Sequence, residues 1–348
     1  MQTLSEKTWS DFFLNELFSI SAGKRLETRN KVDGRRPFIG ASENNNGVTG
    51  FVGNTNASLD KNVLGVSYNG APCVAFYHPY ECLFTDDVKR LHLAERDDSM
   101  LCGLFFSAVF TKQRAKYSYG YKFKEQRMKR QKLMLPVVES DGPDYSYMEQ
   151  YASSMRGGLL MRYRSYAKAR LEELNYIDVP SLNEKDWQPV SISSIFALVR
   201  GREGNMAKME PGAIPLISAK AAGNGLKGFV ANPKKVVPGD CITLNNDGDG
   251  GAGLAYYQPA NMALDTHVTA LQPKIPMSKW TMLFISRCLS GLHGFFGHGL
   301  SISNPRAERI RVMLPVNAEG EPDFEYMEQY TKNMMLKKYE QYFEYLDS

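Results

Sequence analysis

Two stretches of the chain carry apolar and aromatic residues at the spacing of one face of an α-helix. In the first stretch they recur at positions 148, 151, 155, 159, 163, 166, 171 and 174, and in the second at 327, 330, 335, 339, 342 and 346. Intervals of three and four residues place side chains on one side of a helix. Asp144 and Asp323 stand just before these stretches, and Asp is a favoured N-cap residue. The pattern predicts two amphipathic helices that pack antiparallel and bury their apolar faces against each other.

Gly157-Gly158 interrupts the first helical pattern. Each glycine inside a helix costs about 1 kcal/mol relative to alanine. We therefore expect either a close approach of the two helices at this point or a kink in the first helix.

The segment before each helix alternates apolar and polar residues and is rich in Gly, Asn and Pro. Asn46-Gly47 and Asn224-Gly225 lie between strand-like runs and predict hairpin turns. Short helices are expected near residues 99–110 and 279–290. The predicted fold class is α+β, with a mixed or strongly bent sheet in each segment. The predicted division places sheet-containing domains at 1–143 and 181–322 and the helices that follow them at 144–180 and 323–348.

The two halves of the chain are copies of one module. Trp9 recurs as Trp187, Met134-Leu-Pro-Val137 as Met313-Leu-Pro-Val316, and Met148-Glu-Gln-Tyr151 as Met327-Glu-Gln-Tyr330. These and other matches keep one order at offsets of 178 to 180 residues. The chain is therefore a tandem duplication.

Composition narrows the class of protein. Of the 348 residues, 43% are hydrophobic and 23% are charged, as in ordinary globular proteins. A membrane span needs about eighteen consecutive apolar residues, which do not occur, and the N-terminal segment lacks the pattern of a secretory signal. The five cysteines show no CxxC pairing, so neither a disulfide framework nor a zinc site is expected. The expected location is the cytoplasm.

The charge distribution is more informative than the formal net charge of +4. Nine basic residues and one acidic residue, Glu125, lie between Lys112 and Lys132. Such a run is often only a solvated face, but its place in the repeated module favours contact with nucleic acid.

The motifs carry a family likeness. The pattern of Trp9, Phe18-Ser-Ile20, Gly23-Lys-Arg25, Pro37-Phe-Ile-Gly-Ala-Ser42, Leu135-Pro-Val137 and Met148-Glu-Gln-Tyr151 resembles the type I restriction–modification DNA-specificity domain. Both copies match, so the resemblance covers nearly the whole chain. Specificity subunits of type IIB, BcgI-like systems are similar as well.

The resemblance implies a non-catalytic subunit with two target-recognition domains, related by pseudo-twofold symmetry and held apart by two antiparallel helices. Each domain would read one half of a bipartite site in double-stranded DNA. Methyltransferase subunits, or a fused methyltransferase–nuclease chain, would dock on the helices and hold S-adenosylmethionine and Mg²⁺, with no cofactor or metal in this chain. The expected docking residues on the helices are Met148, Tyr151, Met155, Met327, Tyr330 and Met335.

A comparison of the copies points to residues that contact DNA, because two readers of different half-sites share framework residues and differ in reading residues. Tyr117, Tyr119, Tyr121 and Phe123 alternate with polar residues along an expected strand, and their counterparts are Phe296, His298, Leu300 and Ile302. Positions 121/300 and 123/302 are apolar in both copies, which favours core packing there. The opposite face changes from lysine to serine. The candidate DNA contacts here are Lys122, Lys124, Ser301 and Ser303, with Tyr119 and His298, and with Lys112, Arg114 and Lys116 from the basic run.

Three other variable stretches are candidates. Asn44, Asn45 and Asn46 face Lys220 and Asn224 in the second copy; they suit base contacts, although turn chemistry explains them equally well. Lys24, Arg25, Arg200 and Arg202 suit phosphate contacts or are plain solvated charges. Asp247 and Asp249 lie in a glycine-rich loop and would face a cytosine amino group. A calcium loop is excluded there because Gln258 stands where glutamate is required.

Two other functions compete with DNA specificity. One is a stand-alone hydrolase that uses Asp247, Asp249, Asp265 and His267. The other is an architectural or RNA-binding protein. No phosphate-binding loop and no methyltransferase motif occur in the sequence, and the copies share no polar triad.

Overall fold

The chain folds into two units that repeat one architecture. The computed structural model describes residues 2–117, 121–139, 142–248, 251–297 and 300–347. The units comprise Met1–Tyr163 and Arg164–Ser348. The boundary between the units falls inside a long helix. The sequence instead predicts that this helix is a segment of its own. The predicted domain boundaries at residues 143, 180 and 322 stay a prediction.

The first unit contains nine strands and the start of the long helix among its described residues. Its strands are β1 (Trp9–Phe13), β2 (Phe18–Ala22), β3 (Arg36–Ile39), β4 (Val48–Val52), β5 (Val63–Ser67), β6 (Ala75–His78), β7 (Leu83–Phe84), β8 (Val88–Leu93) and β9 (Lys132–Pro136). Its helices are α1 (Leu14–Leu17), α2 (Met100–Lys112), α3 (Glu125–Lys129) and α4 (Tyr145–Glu173), the last of which continues into the second unit.

The second unit repeats this order with one additional strand, β14. Its strands are β10 (Trp187–Ser191), β11 (Phe196–Arg200), β12 (Pro211–Ile217), β13 (Leu226–Val230), β14 (Val236–Val237), β15 (Cys241–Asn245), β16 (Ala255–Gln258), β17 (Met262–Leu264), β18 (Val268–Pro273) and β19 (Arg311–Pro315). Its helices are α5 (Ile192–Ile195), α6 (Lys279–Ser290), α7 (Asn304–Glu308) and α8 (Phe324–Asp347).

Sheet topology confirms the duplication and the α+β class. The order β2-β8-β5-β6 in the first unit corresponds to β11-β18-β15-β16 in the second, and both sheets are antiparallel. A second sheet is mixed in each unit, because β3 pairs parallel with β7 and β12 pairs parallel with β17. The hairpins β3–β4 and β12–β13 turn at the two predicted Asn-Gly pairs. A small ribbon, β1–β9 or β10–β19, completes each unit.

The core of each unit lies between its antiparallel sheet and one helix. In the first unit Phe106 of α2 packs edge-on against Phe18 with ring centroids 4.8 Å apart. The start of α4 closes this core with Met148. In the second unit α6 and the start of α8 take the same places, with Ile285 and Met327 fully buried.

Both long helices begin where the sequence predicts. The Tyr147 amide donates to Asp144 Oδ1 at 2.9 Å, and the Tyr326 amide donates to Asp323 Oδ1 at 3.0 Å. Each capping carboxylate also pairs with a lysine near the start of its copy, Lys7 at 2.6 Å and Lys185 at 2.8 Å. Among the described residues, no helix is long and apolar enough to cross a membrane.

Helix α4 continues through the glycine pair. Among the described residues, a Cβ on Gly157 or Gly158 would meet no atom within 4 Å. The close approach and the kink expected at this point both stay predictions.

The last part of α4 runs antiparallel to α8 within the second unit. Arg164 pairs with Asp347 at 2.6 Å, and Gln329 donates to the Asn175 carbonyl at 2.8 Å. The first contact joins α4 to the end of α8. The second joins the residues just after α4 to the start of α8. The pseudo-twofold arrangement of the two domains stays a prediction.

Candidate nucleic-acid interface

Three variable segments of the first unit come together at the ends of β3 and α2. Arg114, just after α2, pairs with Glu43 of the hairpin loop at 2.5 Å. The third segment is the loop 69–72, which stands where the second copy has its glycine-rich loop. It lies against the end of β3, since a Cβ on Gly70 would stand 3.0 Å from the Ala41 carbonyl oxygen. Segments distant in sequence therefore form one surface.

The second unit assembles the equivalent segments through a buried asparagine pair. The Asn245 side-chain amide donates to the carbonyls of Lys220, at 3.2 Å, and Gly251, at 3.1 Å. The carbonyl of Asn246 accepts from the Ile302 amide at 2.7 Å. The loops at 220–224, 245–253 and 300–303 are thus joined by hydrogen bonds.

Backbone geometry explains the asparagines of the hairpin loops. Asn45, Asn46 and Gly47 have φ of 51°, 51° and 75°, and Gly223, Asn224 and Gly225 have φ of 62°, 51° and 75°. Only Gly and, to a lesser degree, Asn adopt this left-handed region readily. Turn chemistry therefore accounts for Asn45, Asn46 and Asn224, and Asn44 is the exposed asparagine of this group whose identity the backbone does not require.

The predicted cations occupy different environments. Several are exposed at the surface, namely Lys24, Arg25, Lys112, Lys116, Lys124, Arg202 and Lys220. Arg114 is partly neutralised by Glu43. Lys122 is half-buried. Arg200 is also half-buried and joins two loops, since it donates to the carbonyls of Thr266 at 3.2 Å and Ile302 at 3.4 Å.

The expected strand over 117–124 is wrong for the residues described there. Phe123 and Ile302 are core residues, as predicted, with 0% and 1% exposure. Tyr121 and Leu300 are 51% and 46% exposed, which contradicts the expected core packing of that pair. Among the described aromatic residues of this segment, Tyr117 is half-buried, Tyr121 is exposed and Phe123 is buried, so these three do not form one face of a strand.

Of the remaining candidate DNA contacts in these loops, two are exposed and three are not described by the structure. Ser301 is exposed, and Ser303 is exposed at the residue that precedes α7. Tyr119, Asp249 and His298 lie outside the described residues.

Three of the candidate hydrolase residues, Asp247, Asp265 and His267, are close together but serve the local fold. His267 pairs with Asp247 at 2.7 Å, and Asp265 Oδ1 accepts from the His267 amide at 3.1 Å. Asp265 is buried and its carboxylate closes the turn before β18. The aligned residues of the first unit are Thr85 and Asp87. No group of three or more His, Cys, Asp or Glu suited to a metal ion occurs in the part of the chain that the structure describes.

Burial corrects the predicted docking set on the helices. Met148 and Met327 are 0% exposed and belong to the cores, so neither is available to a partner. Tyr151 and Tyr330 are half-buried against Phe105 and Phe284, with ring centroids 6.0 and 5.8 Å apart. Met335 is half-buried and Met155 is 49% exposed, so Met155 is the most accessible member of the set.

Sequence reasoning missed two arginines that the copies share. Arg127 in α3 and Arg306 in α7 occupy equivalent positions, and each donates through Nη1 to a backbone carbonyl of the preceding loop, Lys122 or Ser301. The signal was present as the common Arg-x-x-Arg of residues 127–130 and 306–309.

Comparison with known families assigns the chain. The model of the type I restriction modification DNA specificity domain matches residues 6–157 and 184–342, one match in each copy. The chain belongs to this family, as the motifs indicated.

Individual relatives agree with this assignment. The chain is 46% identical over 162 residues to the type II restriction enzyme BcgI specificity subunit of Heyndrickxia coagulans. That match covers 47% of this chain and 48% of the relative, so the chain spans about half the length of the curated protein that it matches.

Among solved structures, the chain is similar to the type I restriction–modification S subunit from M. genitalium, with 15% identity and a TM-score of 0.49 over 100% of this chain and 94% of that one. It is also similar to the HsdS subunit from Thermoanaerobacter tengcongensis, with 13% identity and a TM-score of 0.32 over 96% and 89% of the two chains. Both TM-scores are low, and family membership rests on the sequence matches.

Proposed function

We propose that the chain is the DNA-specificity subunit of a restriction–modification complex, in which each unit reads one half of a bipartite target in double-stranded DNA. One observation carries the proposal: in each unit the segments that differ between the copies converge on one surface. In the first unit Arg114 and Glu43 connect two of these segments, and in the second unit Asn245 connects two more. A shared framework with different loops is what two half-site readers require.

The chemistry of the loops suits DNA. Lys112, Lys116 and Lys124 give the first unit exposed positive charge beside polar and aromatic groups. Cations neutralise phosphates and fix the register on the duplex, while the differing side chains meet base edges.

Catalysis belongs to partner chains in this proposal. Methyltransferase subunits, or a single methyltransferase–nuclease chain as in BcgI-like systems, would bind S-adenosylmethionine and Mg²⁺ and act where this chain directs them. The complex would act in the cytoplasm. The relative from Heyndrickxia coagulans, named a specificity subunit, supports this role.

A salt titration tests the DNA contact. The purified full chain should bind duplex DNA with an affinity that falls steeply with salt, since each neutralised phosphate contributes a slope of about −0.9 in log K against log[salt]. Replacing Lys112, Lys116 and Lys124 by alanine should make the slope shallower by up to about 3.

The matched control removes three exposed lysines from elsewhere, Lys61, Lys168 and Lys337. This control should leave the slope nearly unchanged. Equal effects of the two triple variants would contradict the proposed surface.

Co-expression with the methyltransferase from the same genomic neighbourhood tests the function as a whole. Mapping of methylated bases should give a split motif with a fixed spacer, and this chain alone should transfer no methyl groups and hydrolyse no phosphodiester bonds. Turnover by the purified chain would favour the stand-alone enzyme instead.

A further inference from the structure

The shared arginine of each unit holds the backbone of a loop. Arg127 Nη1 donates to the Lys122 carbonyl at 2.7 Å. Arg306 Nη1 donates to the carbonyl of Ser301, the residue aligned with Lys122. The same atom therefore makes the same contact in both copies, although the loop residues themselves differ.

A buried residue anchors the other side of each loop. Phe123 and Ile302 follow the bonded carbonyls and are 0% and 1% exposed. The Ile302 amide also donates to the Asn246 carbonyl at 2.7 Å. The arginine and the buried residue therefore hold two adjacent backbone positions in each loop.

The residue before the held carbonyl is large, apolar and exposed in both units. Tyr121 is stacked on Tyr117, with ring centroids 5.7 Å apart and an interplanar angle of 14°, and the Arg127 guanidinium carbon lies 3.8 Å from the Tyr121 ring centroid. Leu300 is fixed through its backbone, since its amide donates to the Gly297 carbonyl at 3.0 Å. The ring of Tyr121 and the backbone of Leu300 are thus both held by contacts of their own loops.

From these contacts we infer that positions 121 and 300 are a matched pair of base-reading positions and that Arg127 and Arg306 are their positioning residues. The inference rests on the proposed function. An exposed leucine suits the methyl group of thymine, and an exposed tyrosine offers its hydroxyl and the edge of its ring. The pair differs between the copies, as reading residues should, while the arginines are identical, as a common support should be.

The guanidinium of Arg127 is already engaged by a carbonyl and a ring. We therefore expect it to act on recognition through the loop rather than through a phosphate contact. This separates it from an ordinary DNA-binding arginine, whose removal makes the salt dependence shallower by about one phosphate.

Selection from a random duplex library tests the reading pair with the full chain. Bound duplexes from wild type should contain a split motif. Tyr121→Leu should change the preferred base within one half-site and leave the other intact, and Leu300→Tyr should do the reverse. Discrimination against single-base variants of the affected position should fall about tenfold, the size of one good base contact.

Arg127→Gln tests the positioning role. It should weaken discrimination in the same half-site as Tyr121→Leu without changing the salt slope. The control is Arg130→Gln, because Arg130 is exposed and donates only to the Gln126 carbonyl of its own helix among the described contacts; it should leave base preference unchanged. Thermal unfolding of each variant verifies folding, and the independent Leu300→Tyr variant decides the matter if Tyr121→Leu does not fold.

Two outcomes overturn the inference alone. One is a wild-type split motif that neither exchange alters. The other is a shallower salt slope for Arg127→Gln with base preference intact, which would make Arg127 a phosphate contact. A wild-type chain that selects no split motif would overturn the proposed function itself, and the inference with it.

Discussion

Asp144 and Asp323 illustrate how single residues stabilise both units in the same way. Each caps a long helix and pairs with a lysine from the start of its copy. Burial raises the pKa of Asp144, but the Lys7 ammonium and the Tyr147 amide outweigh burial and leave the pKa below its ordinary value. The stabilisation is therefore present above the unfolded-state pKa and is lost as the pH falls through the lower, folded-state pKa.

Asp144→Ala should lower the free energy of unfolding by about 1–2 kcal/mol, because it removes a cap and leaves Lys7 unpaired. Asp144→Asn keeps a capping oxygen and should cost less at neutral pH. Urea denaturation at neutral pH measures both. Equal losses for the two variants would show that the ion pair, not the cap, carries the effect.

His92 makes the stability of the first unit depend on pH in the opposite direction. Burial favours the neutral ring, but Asp98 at 2.5 Å and Asp60 at 3.2 Å outweigh burial and raise the pKa of His92 above 6.5. The stabilisation is complete below the unfolded-state pKa and is lost as the pH rises through the higher, folded-state value. Arg90 also pairs with Asp60, at 2.9 Å, so that carboxylate stays engaged after His92 loses its proton.

His92→Gln introduces the residue present at the aligned position 272. It should lower the melting temperature most below the ordinary pKa of histidine, and less as the pH rises through the raised, folded-state pKa. Differential scanning calorimetry as a function of pH provides the measurement. A difference from wild type that does not vary with pH would show that the charge of His92 is not involved.

At the scale of single residues, the sequence predicts only some of the buried positions correctly. The pattern predicts correctly that Phe123 is a core residue, but it predicts the same of Tyr121, because both copies are apolar at that position. Met148 shares the helical stripe with Met155, yet only Met148 is buried under α2. Apolar periodicity identifies one face of a helix. Which residues of that face are buried depends on how far the neighbouring elements extend along the helix.

Helix α4 contains two glycines for which the structure shows no packing reason. Gly157 and Gly158 have open space where a Cβ would stand. Gly157→Ala and Gly158→Ala should each raise the free energy of unfolding by about 0.5–1 kcal/mol, because alanine loses less backbone freedom on folding. Thermal and urea unfolding test this, with Gly103→Ala as a contrast: a Cβ there would stand 2.3 Å from the Tyr77 ring, so that variant should be destabilised. A loss of stability in the α4 variants would mean that a partner or another part of the chain occupies the space.

Elements with strong local signals were predictable. Both hairpins and both long helices follow from Asn-Gly pairs and from capped apolar periodicity. The 117–124 segment was not, because the spacing of its aromatic residues matches a strand, whereas in the structure Tyr117 stacks on Tyr121 and also packs against the buried Phe123, with ring centroids 4.6 Å apart in the second pair. Aromatic spacing alone does not distinguish such a cluster from one face of a strand.

For the whole molecule, duplication was the most informative feature of the sequence. Comparison of the copies separates shared from differing positions, but it does not separate shared residues that stabilise the fold from shared residues that support the variable loops. Lys7 and Lys185 stabilise the fold, whereas Arg127 and Arg306 support the loops that differ. Hydrogen-bond partners, which the sequence does not give, distinguish the two kinds.

The boundary between the units falls inside α4, so the length of this helix should set the distance between the two half-sites on DNA. Seven residues inserted between Gly157 and Gly158 add about two turns, or roughly 10 Å, and nearly restore the rotation of the following segment. Base pairs are about 3.4 Å apart, so the spacer should lengthen by about three base pairs at most while both half-sites keep their sequences. Mapping of methylated bases in cells that co-express the variant and the methyltransferase gives the spacer directly. Seven substitutions that leave the length of α4 unchanged serve as the control. A changed half-site with the original spacer would refute the role of α4 in setting the distance, because it would show that the insertion perturbs reading and not spacing.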